Sequence, residues 1–116
     1  MKKSFDIIVC ATGATVISKT NENLLSNLAE EVVDSPFEIP RGGEIENDAD
    51  KLEHWAQSLM LELHALYQGK RVAIWAGHSP CGEAIRKEGA KHNFFLLSHW
   101  GTQDAKIQWF EVIAPA

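Results

Sequence analysis

Three short segments carry the side chains best suited to chemistry, and each of them follows an apolar stretch. They are Thr12-Gly13-Ala14-Thr15, Gly77-His78-Ser79-Pro80-Cys81-Gly82 and His99-Trp100. Main-chain amides and hydroxyls beside the end of a strand can hold a phosphate or a ribose. A histidine can serve as acid or base near neutral pH, and an indole can stack on a base. These residue types therefore favour a phosphate-bearing ligand.

The segment around His78 stands just before a predicted helix. An anion there would meet unpaired amides and the positive end of the helix dipole, and His78 could hydrogen-bond to a phosphate oxygen or protonate it. Gly82 costs the first helical turn about 1 kcal/mol, which suggests close approach to the backbone. The alternative is simple capping, with Ser79 as the N-cap and Pro80 in the first helical position.

Other motifs are weaker or absent. The segment ATGAT is neither GxGxxG nor GxxxxGK[ST], so the dinucleotide fingerprint and the Walker A loop are excluded, and a plain tight turn is its alternative. For Trp100 the alternative is packing over the end of the sheet. Arg41, in a glycine-containing loop, is either a planar phosphate-binding group or a solvated side chain. The five histidines show no metal-ligand spacing, so we predict no metal and no cofactor.

Composition limits the class of protein. A chain of 116 residues with 45% hydrophobic and 23% charged residues predicts one globular domain over residues 1–116. The net charge of −5 argues against a protein that coats duplex nucleic acid. The longest apolar run, Ile7–Ala11, is far shorter than the about 20 residues of a membrane helix, and no signal peptide pattern is visible, so we expect a cytoplasmic protein without membrane contact. Cys10 and Cys81 are isolated, which excludes a disulfide framework and a zinc knuckle.

Hydrophobic patterns predict an alternation of strands and helices. Apolar runs predict buried strands at 5–11, 71–76 and 94–98, and a partly alternating run predicts a last strand near the edge of the sheet at 107–113. Helical spacing predicts helices from Thr20 or Asn21 to just before Ser35, over 47–68, and from Ser79 to about Gly89. The intervening segment, 35–48, is predicted as a loop with room for at most a short edge strand around 37–39.

This alternation predicts an α/β fold, a Rossmann-like three-layer domain with a mainly parallel sheet of four to five strands. Ligands of open α/β sheets bind outside the carboxyl ends of the strands. Each of the three segments follows a predicted strand. We therefore expect them to lie together at one end of the sheet.

The order of motifs resembles a known family. The segment IIVCATGAT followed by NLLSNLAEE, the segment GGEIENDADKL before the long helix, and VAIWAGHSPCGEAI are similar to motifs of the CARF family, the Rossmann-like domains of CRISPR defence that bind cyclic oligoadenylates. Two residues depart from the family pattern. Ala14 stands where the family has a hydroxyl residue, and His78 stands where it often has an acidic or hydroxyl residue.

The resemblance implies a cytoplasmic homodimer of type III CRISPR antiviral defence that holds cyclic oligoadenylate across its two-fold axis. A stand-alone member would either cleave the ring without metal, through the ligand's own 2′-hydroxyl, or only bind it. For the cleaving version we assign catalytic contacts to Thr15, His78 and Ser79. The ligand contacts then fall on the following residues: Thr12, Gly13, Ala14, Arg41, Gly77, Pro80, Gly82, His99 and Trp100.

Two alternatives from other classes remain open. One is a small α/β hydrolase or transferase that acts on a nucleotide or sugar phosphate, with His78 or His99 as acid or base. The other is a non-catalytic interaction subunit, in which a partner covers Trp109 or Phe110 on the last strand.

Overall fold

Five strands and two long helices form the described part of the chain, which comprises residues 3–11, 25–38, 40, 44–45, 47–76, 80–101 and 107–114 of the computed structural model. The strands are β1 (Phe5–Ala11), β2 (Ala29–Asp34), β3 (Val72–Ala76), β4 (Phe95–Gly101) and β5 (Ile107–Ile113). The helices are α1 (Ala49–Leu66) and α2 (Pro80–Lys91), and residues 25–28 are helical as well.

The strands form a single sheet in the order β2-β1-β3-β4-β5. β1 pairs in parallel with both β2 and β3, β3 pairs in parallel with β4, and β5 runs antiparallel to β4. The predicted α/β class and the mainly parallel sheet are thereby confirmed. β5 occupies the edge position that its alternating sequence predicts.

β3 and residues 7–11 of β1 are apolar because both faces of the sheet are covered there. Ile8, Val9, Ala73 and Ile74 have no exposed surface. Side chains of β1 and β3 alternate between two apolar clusters, with Val9 and Ile74 in one cluster and Ile8 and Ala73 in the other. This alternation is the signature of a strand buried on both sides.

Both long helices pack on the same face of the sheet. Residues of α1 and α2 share one cluster with alternate residues of β1, β3 and β4, and its helical members are Leu52, Leu59, Met60, Leu63, Cys81 and Ile85. On the opposite face, Leu25 from the helical residues 25–28 is buried against Phe5 and Trp75. The sheet thus has apolar cover on both of its faces.

The boundaries of α1 follow ordinary capping chemistry. Asp48 is the N-cap, and its Oδ1 accepts hydrogen bonds from the main-chain N–H groups of Asp50 at 3.0 Å and Lys51 at 3.1 Å. After Leu66 the chain turns through Gly69, whose φ of 71° lies in the left-handed region that suits glycine. The predicted helix over 47–68 is confirmed within two residues at each end. The third predicted helix is confirmed as α2.

The helix predicted to continue to Ser35 is wrong over its second half. Residues 29–34 form β2, which extends the sheet beyond β1. The apolar residues there fit helical spacing, but Val32 and Val33 are β-branched and pair with Ile8 and Val9 of a strand whose other side is already occupied by β3. Pairing with β2 satisfies the main-chain N–H and C=O groups along the outer side of β1, which would have no partner if residues 29–34 were helical. β2 also occupies the edge position, and among residues 35–38 there is no strand.

Among the described helices, none has both the length and the apolar character needed to cross a membrane.

Candidate functional site

The carboxyl ends of β1 and β3 lie side by side in the middle of the sheet. Their last residues, Ala11 and Ala76, are register partners in the parallel ladder. β4 runs parallel to β3, so it ends in the same direction. We call this side of the molecule the carboxyl end of the sheet. The segments 12–24, 77–79 and 102–106 all leave the sheet here.

Most of the predicted site residues lie outside the described residues, and all of these except Arg41 belong to the segments 12–24 and 77–79. They are Thr12, Gly13, Ala14, Thr15, Arg41, Gly77, His78 and Ser79. Their roles stay predictions. The described parts of the carboxyl end are the strand ends and the first turns of α1 and α2.

The first turn of α2 contains three residues of the second segment. Pro80 is the first residue of the helix, as its sequence predicts, and it is exposed. Cys81 and Gly82 are buried, and Cys81 has no exposed surface. Pro80 is therefore accessible to a ligand at this end, whereas Cys81 is part of the apolar core.

His99 and Trp100 lie inside β4, which runs to Gly101, so the prediction that this strand ends at residue 98 is wrong. β5 extends the ladder beyond Ser98, with His99 opposite Phe110 and Trp100 opposite Trp109. The strand continues because β5 satisfies its main-chain N–H and C=O groups. The local sequence around residue 99 does not reveal this partner. The ladder becomes irregular between Trp100 and Gly101, near the carboxyl end.

Arg86 is an additional polar residue of the carboxyl end that the motifs did not identify. Its Nη2 donates a hydrogen bond of 2.9 Å to the main-chain carbonyl of Ala76, the last residue of β3. Its Nη1 lies 2.6 Å from Oε1 of Glu83, and 15% of its side chain is exposed. The guanidinium thus fixes the point at which the chain leaves β3 for the His78 segment. The available signal was an arginine one turn after an acidic residue in a helix that directly follows a strand.

Cys10 lies close to the same end but is unsuited to nucleophilic chemistry. Its thiol is 4% exposed, and Asp34 is its register partner at the end of β2. Burial, and then the negative charge of Asp34, raise the pKa of Cys10 to about 12. The thiolate, which is the reactive form, is therefore scarce at neutral pH. Cys10 is therefore a residue of the apolar core.

A small cavity of about 210 Å³ lies between the first turns of α1 and α2. Ala49, Leu52 and Pro80 contribute apolar walls, and Glu88 lines it from the third turn of α2. Glu88 is 2% exposed and forms an ion pair with Lys91 at 3.3 Å. Small-molecule sites measure roughly 300 to 1,000 Å³, so this cavity is large enough for one group of a ligand and not for a whole nucleotide.

Within the described ranges, no group of three histidine, cysteine or acidic side chains could hold a metal ion. No protein-family model matches this chain, and no curated protein sequence is significantly similar to it. The assignment of function therefore depends on the motifs and on the geometry of the carboxyl end.

Proposed function

We propose that this protein binds a cyclic oligoadenylate at the carboxyl end of its sheet, as a CARF-like domain with a Rossmann-like three-layer arrangement. The observation that carries the proposal is the pairing of Ala11 with Ala76. The ATGAT and AGHSP segments begin at these two neighbouring strand ends. A ligand that spans both would meet main-chain amides, hydroxyls and an imidazole within one site.

Arg86 supports a phosphate-bearing ligand at this place. Its guanidinium is held against the carbonyl of Ala76, the residue that precedes the His78 segment in the chain. Arginine is the side chain that best matches phosphate geometry, and a guanidinium that is already ordered loses little freedom on binding. Arg86 would thus position the start of the His78 segment, with Glu83 as its carboxylate partner.

Ring cleavage is the catalytic version of this function. The ligand's 2′-hydroxyl oxygen attacks the adjacent phosphorus, and the bond from phosphorus to the 5′-oxygen breaks. The 2′-hydroxyl proton passes to a base, and the leaving 5′-oxygen takes a proton from an acid. His78 is our choice for the proton transfer, with Thr15 and Ser79 as hydrogen-bond donors to the phosphate. The buried Cys10 thiol takes no part.

A homodimer completes the proposal, because a ring of adenylates can be held across a two-fold axis by the same segments of both copies. We further propose that this ligand is the second messenger of type III CRISPR defence. Sedimentation velocity at several protein concentrations, with and without ligand, tests the dimer. A monomer at every concentration would contradict it.

The decisive experiment incubates the purified protein with cyclic tri-, tetra- and hexa-adenylate without added metal. Bound, free and cleaved nucleotide are then separated. We expect binding of one ring size in preference to the others. Linear products would establish a ring nuclease, and binding without products would establish a receptor.

Variants connect the result to the site. His78→Ala is expected to abolish cleavage and Arg86→Lys to weaken binding, whereas His54→Ala, on the exposed side of α1, serves as the matched control. The absence of binding to all three rings would contradict the proposal. Turnover of a nucleotide or sugar phosphate by such a protein would favour the hydrolase alternative.

A further inference from the structure

A second cleft lies at the opposite side of the sheet, where β3 and β4 begin. We call this side the amino end of the sheet. The cleft has a volume of about 510 Å³, within the range of roughly 300 to 1,000 Å³ typical of small-molecule sites. Its walls include His64, Tyr67, Lys70, Arg71, Asn93 and Phe95. These residues come from the last turn of α1, the start of β4 and the two connections that lead from a helix into a strand.

The charged side chains of the cleft are both positive. Lys70 and Arg71 are exposed, and neither forms an ion pair with a carboxylate of the described residues. Asp6, the nearby acidic residue, accepts a hydrogen bond of 2.8 Å from the main-chain N–H of Arg71 and does not pair with the guanidinium. Two adjacent cations without a carboxylate partner among the described residues favour an anionic ligand.

Helix dipoles do not account for these two cations. Both long helices end near the cleft, and a cation in the last turn of a helix stabilises its negative end. His64 of α1 and Lys91 of α2 already occupy such positions. Lys70 and Arg71 follow the end of α1 by four and five residues, beyond the range in which the dipole acts strongly.

Arg71 is held in place by aromatic rings. Its guanidinium carbon lies 4.3 Å from the centre of the Phe95 ring and 5.7 Å from that of Phe5. This stacking orders the side chain while leaving its planar N–H donors available, because none of them bonds to a described residue. An ordered, unpaired guanidinium is well suited to a phosphate.

The cleft also offers surfaces for a planar ring. The exposed His64 ring packs on the buried Phe94 with 4.6 Å between ring centres, and His92 lies 5.7 Å from His64. Tyr67 and Asn93 add a phenol and a carboxamide to the lining. Stacked aromatic groups beside hydrogen-bonding side chains are the usual means of holding a base.

We propose that the cleft at the amino end binds a phosphorylated compound with a planar ring, of the nucleoside monophosphate class. Lys70 and Arg71 take the phosphate, and His64, Tyr67 and Asn93 take the base. This site is separate from the one proposed at the carboxyl end and does not depend on it. The chain would then have nucleotide contacts at both ends of its sheet.

The test uses AMP as the probe, with inorganic phosphate and adenosine as the two partial ligands. Titrations are followed through the main-chain amide resonances of the protein. We expect AMP to shift the amides of residues 64–72 and 93–95, and to bind more tightly than either partial ligand. Lys70→Gln combined with Arg71→Gln should weaken AMP binding about tenfold or more, because both phosphate contacts lose their charge. Lys51→Gln, which removes an exposed cation at the other end of α1, should leave it unchanged.

Three results would overturn the proposal. The first is the absence of AMP-dependent shifts in these amides, including the case in which AMP shifts only residues of the carboxyl end. The second is equal affinity for AMP in the double variant and the wild type. The third is equal affinity for inorganic phosphate and AMP, which would mean an anion site without base recognition. If the wild-type protein bound no cyclic oligoadenylate in a separate assay, that result would contradict the proposed function and would not affect the AMP site.

Discussion

The two ends of the sheet are built in different ways. At the amino end, short connections lead from α1 into β3 and from α2 into β4, and each passes through one residue in the left-handed region, Gly69 or Asn93. Main-chain hydrogen bonds close both turns. The N–H of Lys70 donates to the carbonyl of Tyr67 at 3.1 Å, and the N–H of Phe94 donates to the carbonyl of Gly89 at 3.0 Å. At the carboxyl end, longer segments leave β1 and β2. Helix-stop chemistry therefore determines the amino end, whereas at the carboxyl end more residues separate β1 and β2 from the elements that follow them.

The largest effect should come from the aromatic packing of the amino end. Phe94 is 4% exposed and supports both the core under α1 and the ring of His64. Phe94→Ala should lower the free energy of unfolding by about 3 to 5 kcal/mol in urea denaturation, because it opens a cavity in that core.

A milder substitution at the same position tests whether the two ends of the sheet are independent. Phe94→Leu, which keeps most of the volume, should lose much less stability and should leave cyclic oligoadenylate binding at the carboxyl end unchanged. A strong loss of that binding in a folded Phe94→Leu protein would break the separation between the ends.

Alkaline pH should weaken the carboxyl end through Cys10. Its pKa rises from 9.0 to about 12 in the folded protein, chiefly by burial and further by Asp34. The folded state therefore keeps the thiol proton more tightly, and this contribution to stability is complete below pH 9 and is lost as the pH rises towards 12. Between pH 9 and 10.5 the loss should reach about 2 kcal/mol, at about 1.4 kcal/mol for each pH unit.

Urea denaturation at a series of pH values measures this effect. Cys10→Ala should be less stable than the wild type at pH 8, and the difference should shrink as the pH rises. Asp34→Asn, which removes the second cause, should lower the pH at which the loss ends and leave the slope between pH 9 and 10.5 nearly unchanged. A constant difference between wild type and Cys10→Ala up to pH 10.5 would contradict the assignment.

Arg86 should affect both stability and binding, and it is the sharpest probe of the carboxyl end. Arg86→Ala leaves the Ala76 carbonyl without its charged donor, and we expect a loss of about 1.5 kcal/mol in denaturation experiments. Cyclic oligoadenylate binding should weaken as well. Glu83→Gln, whose side chain is exposed, removes the ion pair but leaves the bond to Ala76, so both quantities should stay near those of the wild type. Equal effects of the two variants would mean that the bond to Ala76 contributes little.

Much of the fold could be predicted from the sequence because its signals are local. The apolar runs of β1 and β3, the apolar stripe of α1 and the glycine that follows it each depend on residues a few positions apart. β2 and the end of β4 were missed for the opposite reason. Their extended conformation depends on pairing with β1 and β5, which belong to other parts of the chain.

The candidate site likewise has features that local patterns predict and features that depend on contacts between distant residues. Strand order could not be read from local patterns, yet the rule that ligands meet the carboxyl ends of parallel strands selects the same end at which β1 and β3 finish together. Arg86 was missed because its role comes from a contact with Ala76, ten residues earlier in the chain. The cation and aromatic cleft was missed because Arg71, Phe5 and Phe95 come together only through the sheet.

The smallest effect tests whether the amino end depends on backbone geometry alone. Gly69 has a φ of 71°, and a Cβ added there would meet no atom within 4 Å. Gly69→Ala should therefore cost about 1 kcal/mol, entirely from the left-handed conformation, and Gly69→Asn should cost less. At Gly89 an added Cβ would lie 3.1 Å from Cδ2 of Leu96, but the gain in helix propensity offsets this contact, so Gly89→Ala should change stability little. If thermal unfolding shows Gly89→Ala to be the more damaging of the two alanine variants, packing of α2 on β4 controls this end more than the turn does.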